Sequence, residues 1–202
     1  MPRIAALMLA AGNSQRFGSD KRLARHRQDQ ATLLQQSLAI PLQLKLETLL
    51  VLRQSDQKKQ ALLLGEHQDN LLLTCCYSLN SSQGMGFSLT DGIKQLSRYG
   101  DYDGVLIMLG DMPWIKAQTL SKIISNFDPQ KIITPSYSDA NGKYRQGHPV
   151  LFPSQWFKEL QQLQGDQGAK RILATYRSQL KIITIDDPGI IRDVDQPEDF
   201  LN

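Results

Sequence analysis

Between Leu9 and Lys21 the chain reads Leu9-Ala10-Ala11-Gly12-Asn13-Ser14-Gln15-Arg16-Phe17-Gly18-Ser19-Asp20-Lys21. Small residues and two glycines let backbone N–H groups come close to an anion. Arg16 offers a planar fork and Lys21 a mobile point charge, both suited to phosphate oxygens. From Ser14 to Gln28 the basic residues Arg16, Lys21, Arg22, Arg25 and Arg27 face only Asp20, whereas the whole chain carries a net charge of +3. The composition predicts a polyanionic guest; the plainer alternative is a surface turn with solvated charges. Two familiar phosphate loops are excluded. Walker A needs Gly-Lys-Ser/Thr, but Gly18 precedes Ser19-Asp20-Lys21, and no G-x-G-x-x-G follows the first apolar run.

Four later segments carry further chemistry. Gly110-Asp111-Met112-Pro113 directly follows the most apolar run of the chain. A carboxylate there is costly unless it is paired, hydrogen-bonded or bound to metal. A single Asp at a strand end suits Mg²⁺, which takes one or two carboxylates plus phosphates and water; the alternative is that Asp111 only shapes a turn. Asn80-Ser81-Ser82-Gln83-Gly84-Met85-Gly86-Phe87-Ser88 opens a helix, where anions or polar bases are attracted, or is ordinary helix entry. Tyr144-Arg145-Gln146-Gly147-His148-Pro149 offers Arg145 and His148 to an acidic acceptor, and with no second His or Cys at ligand spacing zinc is not expected. Asp193 and Asp195 share one face if extended. Asp193 is the better second metal carboxylate, because Asp195-x-x-Glu198 also reads as a capping box.

These segments need a scaffold that places them together. Strands are expected at Ile4–Leu9, Thr48–Leu52, Leu71–Cys75, Gly104–Leu109, Ile132–Thr134, Val150–Phe152 and Ile182–Ile185. Helical spacing predicts helices near Thr32–Ile40, Gln54–Leu64, Phe87–Tyr99, Lys116–Phe127, Gln155–Leu163 and Ala169–Tyr176. Strands alternating with helices argue one α/β layer sandwich, with Ser136–Gly147 as a hairpin excursion. Ligands then sit beyond the carboxyl ends of the strands, in the loops that carry the unusual residues.

The 202 residues are expected to form a single domain, residues 1–202, and at 41% hydrophobic and 21% charged they are ordinary for a globular chain. The basic segment lacks the interleaved aromatics of a nucleic-acid stacking platform, so no nucleic acid is expected. No apolar run is long enough to span a membrane. Arg3 and Ile4–Ala11 imitate a short signal peptide, but the run passes straight into the Gly12–Arg16 loop, and a cytoplasmic protein is expected. Neighbouring Cys75 and Cys76 form no CxxC pair and would point to opposite faces of a strand as small apolar fillers.

Taken in order, Leu9-Ala-Ala-Gly-x-Ser-x-Arg-x-Gly-x-x-Lys21, Gly84-Met-Gly-x-Ser-Leu89, Gly110-Asp-Met-Pro113, Arg145-x-Gly-His-Pro-Val-Leu-Phe152, Gly165-Asp-Gln-Gly-Ala169 and Asp193-Val-Asp-Gln-Pro-Glu-Asp199 resemble the MobA-like nucleotidyltransferases. The likeness is closest to their molybdenum cofactor cytidylyltransferase branch. The resemblance implies a Rossmann-like three-layer sandwich with a mostly parallel sheet, and an Mg²⁺-dependent reaction. In that reaction the phosphate of a molybdopterin-type acceptor attacks the α-phosphorus of a nucleoside triphosphate. It implies that Leu9, Ala10, Ala11, Gly12 and Ser14 cradle the nucleotide, with Arg16 and Lys21 on the triphosphate and leaving group. Asn80, Gly84 and Ser88 would lie near base and ribose, and Arg145 and His148 would meet the acceptor. Asp111, with Asp193, would hold the metal. Ala11, where guanylyl-using relatives carry a second glycine, favours CTP over GTP. The alternatives are a guanylyltransferase, a transferase for another phosphorylated acceptor, or a non-catalytic maturation factor serving a molybdoenzyme. Two departures stand out. Gly86 occupies a position where serine or alanine is frequent, and Arg22–Gln30 lacks a glycine-containing turn.

Overall fold

The computed structural model describes residues 1–26 and 30–201. Among them eight strands form one sheet: β1 Ile4–Leu9, β2 Thr48–Arg53, β3 Leu73–Ser78, β4 Gly104–Leu109, β5 Ile132–Ser138, β6 Tyr144–Gln146, β7 Val150–Pro153 and β8 Leu180–Thr184. The helices are α1 Leu33–Gln43, α2 Gln60–Leu64, α3 Met85–Tyr99, α4 Ala117–Ser125, α5 Phe157–Leu160, α6 Lys170–Thr175 and α7 Pro197–Leu201. The strand order is β3-β2-β1-β4-β7-β5-β6, with β8 paired to β5. β1 runs parallel to β2 and β4, and its six residues face β4 from Ile4 opposite Gly104 to Leu9 opposite Leu109.

The central strands are apolar on both sides because helices cover both. Ala6, Met8, Leu106 and Met108 pack in one core with Leu34 and Leu38 of α1 and Leu120 and Ile123 of α4. Ala5, Leu7, Val105 and Ile107 pack in the other with Leu89 and Ile93 of α3, Leu160 of α5 and Ile172 of α6. The expected three layers are present. Cys75 packs against the first core and Cys76 against the second, as alternation on a strand requires. Burial pushes both thiols up to about 11.

Several expected elements change shape. Gln54–Leu64 is a 3-10 turn, Gln54–Lys59, followed by the short α2, because the Asp56 carboxylate accepts the Arg53 N–H at 3.0 Å and tightens the turn. Gln155–Leu163 is likewise a 3-10 turn leading into the four residues of α5. β3 starts at Leu73 rather than Leu71, since Asn70 accepts the N–H groups of Leu72 and Leu73 and holds Leu71 outside the ladder. The hairpin excursion is real, and its returning arm is broken. Ser136 pairs with Gln146, so an unbroken ladder would put residue 149 opposite Ile133, where Leu151 stands. The extra residues at Gly147-His148-Pro149 make a bulge. Beyond it β7 continues antiparallel to both β4 and β5, because a connection this short cannot support a parallel crossover.

Candidate active site

A cleft of about 1070 Å³ opens past the carboxyl ends of β1 and β4. Leu9, Ala10, Ala11, Gly12, Ser14, Arg16, Lys21, Gly84, Ser88, Asp111, Arg145, His148 and Asp193 all line it. The first loop enters after β1 and stays open. A Cβ at Gly12 would meet nothing within 4 Å. Ser14 adopts a left-handed φ of 48°, and its buried Oγ has no hydrogen-bond partner.

At the end of the loop, Lys21 Nζ donates to Asp111 Oδ2 at 2.7 Å and to the Val194 carbonyl at 2.7 Å, and lies 3.6 Å from Asp195 Oδ1. The Val194 N–H returns a bond to the Asp111 carbonyl at 3.0 Å. Val194 is fully buried, which anchors the extended stretch that carries Asp193 and Asp195 on either side of it. Oxygen atoms of Asp111, Asp193 and Asp195 lie within 4.8 Å of one another. Asp111 Oδ1 is buried without a partner. Three convergent carboxylates, one with an orphaned oxygen, fit a hard divalent cation such as Mg²⁺ or Mn²⁺.

Asp195 does not serve as the expected cap of α7. The N–H groups of Asp195 and Gln196 donate to Asp199 Oδ2 at 3.0 and 2.8 Å, so Asp199 braces the turn into α7. The Asp195 carboxylate instead accepts Arg16 at 2.9 Å and faces the cleft. Asp195 thus joins Asp193 in the site.

The basic loop is also less open than its composition implies. Arg22, although within the cleft lining, is only 4% exposed and is forked onto Asp20 and Asp56. Hydrogen bonds from Arg22 hold the Asp20 carboxyl below its ordinary value. Burial alone would raise Asp56, but Arg22 and the Arg53 N–H together hold it low as well. Arg22 therefore serves the loop's architecture rather than adding free positive charge. Arg27, Gln28 and Asp29, part of both the basic run and the glycine-free segment, lie outside the described residues.

Asn80 does not reach the cleft. It is exposed, its Oδ1 accepts from Gln83 at 3.1 Å, and Ser81 and Ser82 line the rim in its place. The start of α3 is not an open donor array either, because the Gly86 N–H donates to the Gly165 carbonyl at 2.8 Å. A Cβ at Gly86 would lie 2.8 Å from the carbonyl carbon and oxygen of Gln164. Gly84 and Gly86 thus let the Gln164–Gly165 backbone press against the start of α3. Two separate glycine-bearing motifs were visible in the sequence, but not that they touch.

The bulge between β6 and β7 brings His148 into the cleft wall. Its backbone N–H donates to the Ile190 carbonyl at 2.8 Å, and ring Nδ1 is buried without a partner. Burial lowers the imidazole below its ordinary value, with Lys170 adding to that effect; the Ile107 carbonyl and the charges of Asp111 and Asp193 oppose it. Arg145 is exposed on β6 at the rim. Asp187, which sequence reasoning passed over, ties the C-terminal segment to α4. It is 2% exposed and accepts the Lys116 N–H at 2.9 Å and Thr119 Oγ1 at 2.6 Å.

A doubly wound sheet with an open small-residue loop facing a lysine and three carboxylates defines a nucleotide-handling class. The chain belongs to the family of the MobA-like NTP transferase domain, which matches residues 6–181. It is similar to the purine catabolism protein PucB of Bacillus subtilis (strain 168), with 26% identity over 98% of this chain and 95% of that protein. Rv0371c of Mycobacterium tuberculosis H37Rv superposes with a TM-score of 0.78 and 26% identity, covering 98% of this chain and 95% of the other. A second Rv0371c structure, in complex with manganese, gives a TM-score of 0.73 at 25% identity over 98% and 96% of the two chains. Among the described residues no helix is long and apolar enough to cross a membrane.

Proposed function

We propose that this protein is a Mg²⁺-dependent nucleotidyltransferase that moves CMP from CTP to the phosphate of a molybdopterin-type acceptor and releases pyrophosphate. The observation that carries the reading is the meeting of Lys21 with Asp111, Asp193 and Asp195 at the mouth of an open small-residue loop. The acceptor phosphate oxygen forms a bond to the α-phosphorus while the bond from that phosphorus to the bridging oxygen breaks. The leaving pyrophosphate carries the electron pair. Lys21 and Arg16 meet the negative charge that grows on the leaving group, and the loop N–H groups hold the triphosphate in line. Asp111, Asp193 and Asp195 would hold the divalent cation, which supplies charge neutralisation on the phosphates. That Rv0371c, at 25% identity, has been solved in complex with manganese supports the binding of a divalent cation. Arg145 and His148 receive the acceptor at the far side of the cleft. The volume of about 1070 Å³, at the top of the usual range for a ligand site, leaves room for two substrates side by side. Ala11 supports the choice of CTP through the family resemblance.

Pyrophosphate release with each of the four ribonucleoside triphosphates, with and without molybdopterin, tests the reading. Release that needs both CTP and the acceptor is the expected outcome. Release with GTP would move the protein to the guanylyl branch, and release with a different phosphorylated acceptor would replace molybdopterin. Tight binding of nucleotide or pterin without turnover would make it a cofactor-holding maturation factor.

A further inference from the structure

Lys21 and Arg22 are neighbours with separate partners. Lys21 reaches Asp111, while every N–H donor of the Arg22 guanidinium is engaged elsewhere. Nε donates to Asp20 Oδ1 at 2.8 Å. One terminal nitrogen donates to the Ala10 carbonyl at 2.9 Å and to Asp56 Oδ2 at 2.6 Å. The other donates to Asp20 Oδ2 at 2.7 Å and to Asp56 Oδ1 at 2.9 Å. Five directed donors are all that an arginine has. Asp56, itself 2% exposed, also fixes the Arg53 N–H, and the Arg53 guanidinium donates to the Gly12 carbonyl. Asp20, Arg22, Asp56 and Arg53 thus form a cluster without net charge that grips two carbonyls of the first loop.

A trans peptide points its C=O and the next N–H in opposite directions. With the Ala10 and Gly12 carbonyls turned to the two arginines, the N–H groups of Ala11 and Asn13 are turned away from the cluster. Neither has a hydrogen-bond partner among the described residues. Ala11 and Asn13 line the cleft, whereas Asp20, Arg53 and Asp56 do not. We propose that Asp56 is a positioning residue for the nucleotide: through Arg22 and Arg53 it withdraws two carbonyls from the path of an anion and presents the Ala11 and Asn13 N–H groups to phosphate oxygens. The inference rests on the nucleotide reading above.

Calorimetric titration with CTP and amide hydrogen exchange test it on the wild type, Asp56→Asn and Arg53→Gln. A wild type that binds no triphosphate sinks the nucleotide reading itself, and the positioning role with it. Given a wild type that binds, Asp56→Asn should raise the CTP dissociation constant at least about tenfold, as misplaced binding groups do. It should also speed exchange at the Ala10 N–H, which donates to the Val51 carbonyl, and raise KM for CTP while leaving the acceptor KM unchanged. A folded Asp56→Asn protein with wild-type CTP affinity overturns the proposal, whatever its melting temperature. If Asp56→Asn does not fold, Arg53→Gln decides, since it keeps both Arg22 forks and removes only the hold on Gly12. Weakened CTP binding there supports the role, and unchanged binding overturns it.

Discussion

Lys21 Nζ and Asp111 Oδ2 lie 2.7 Å apart, although ninety positions separate the two residues along the chain. The same ammonium holds the Val194 carbonyl, so β1's loop, β4's loop and the C-terminal segment converge on one charge. Lys21 is half of a partly buried pair and, in the proposed function, a cation that meets the triphosphate. Lys21→Ala is expected to weaken triphosphate binding and slow turnover by about 2–4 kcal/mol, the usual cost of one lost transition-state contact. Steady-state kinetics with CTP check this, and unchanged constants would remove Lys21 from the chemistry.

Asp111 carries the orphaned oxygen of the carboxylate cluster. Asp111→Ala should abolish pyrophosphate release while circular dichroism shows an intact fold. An active variant would end the metal assignment at this residue.

The carboxylates also predict a dependence on added metal. Treatment with a chelator should stop pyrophosphate release, and Mg²⁺ or Mn²⁺ should restore it, because both prefer oxygen ligands. Full activity after chelation, with metal analysis confirming its loss, would count against a divalent centre.

Two glycines should behave oppositely on replacement by alanine. At Gly86 the new Cβ would press on Gln164 backbone at 2.8 Å, and thermal melting should report a loss of about 1–3 kcal/mol. At Gly12 the Cβ has open space, so stability should change by less than about 1 kcal/mol. Triphosphate affinity should nevertheless fall, because Gly12 lines the cleft proposed to hold the ligand. Equal effects of the two changes on melting would contradict this division.

His148 gives a pH signature. Burial depresses its folded value below the ordinary 6.5, so the native state favours the neutral ring. That stability is complete above pH 6.5 and is lost as pH falls through the depressed value. Chemical denaturation of the wild type and of His148→Gln, above and below that pH, should show the wild type losing more stability on acidification. Parallel losses in both proteins would show that His148 is not the titrating group.

Consecutive residues were enough to determine β1 and β4, whose bounds follow from uninterrupted apolar runs, and to place Lys21 and Asp111 in loops at strand ends. The pairing of Cys75 and Cys76 with opposite cores followed from alternation alone. Such features are local, set by the period of the backbone and the chemistry of turns. What only the tertiary structure decided depends on strand order and on contacts across long stretches of chain. Asp195 faces Arg16 rather than capping α7 because Asp199 already bonds the backbone there. Arg22 is inside rather than solvated because Asp56 on the next strand's loop offers it a second carboxylate. Gly86 is required by Gln164 and Gly165, Asn80 turns to Gln83 instead of the cleft, and the bulge before β7 delivers His148. In each case the deciding partner is chosen by packing, and a charge or a glycine in a sequence does not state which neighbour will satisfy it.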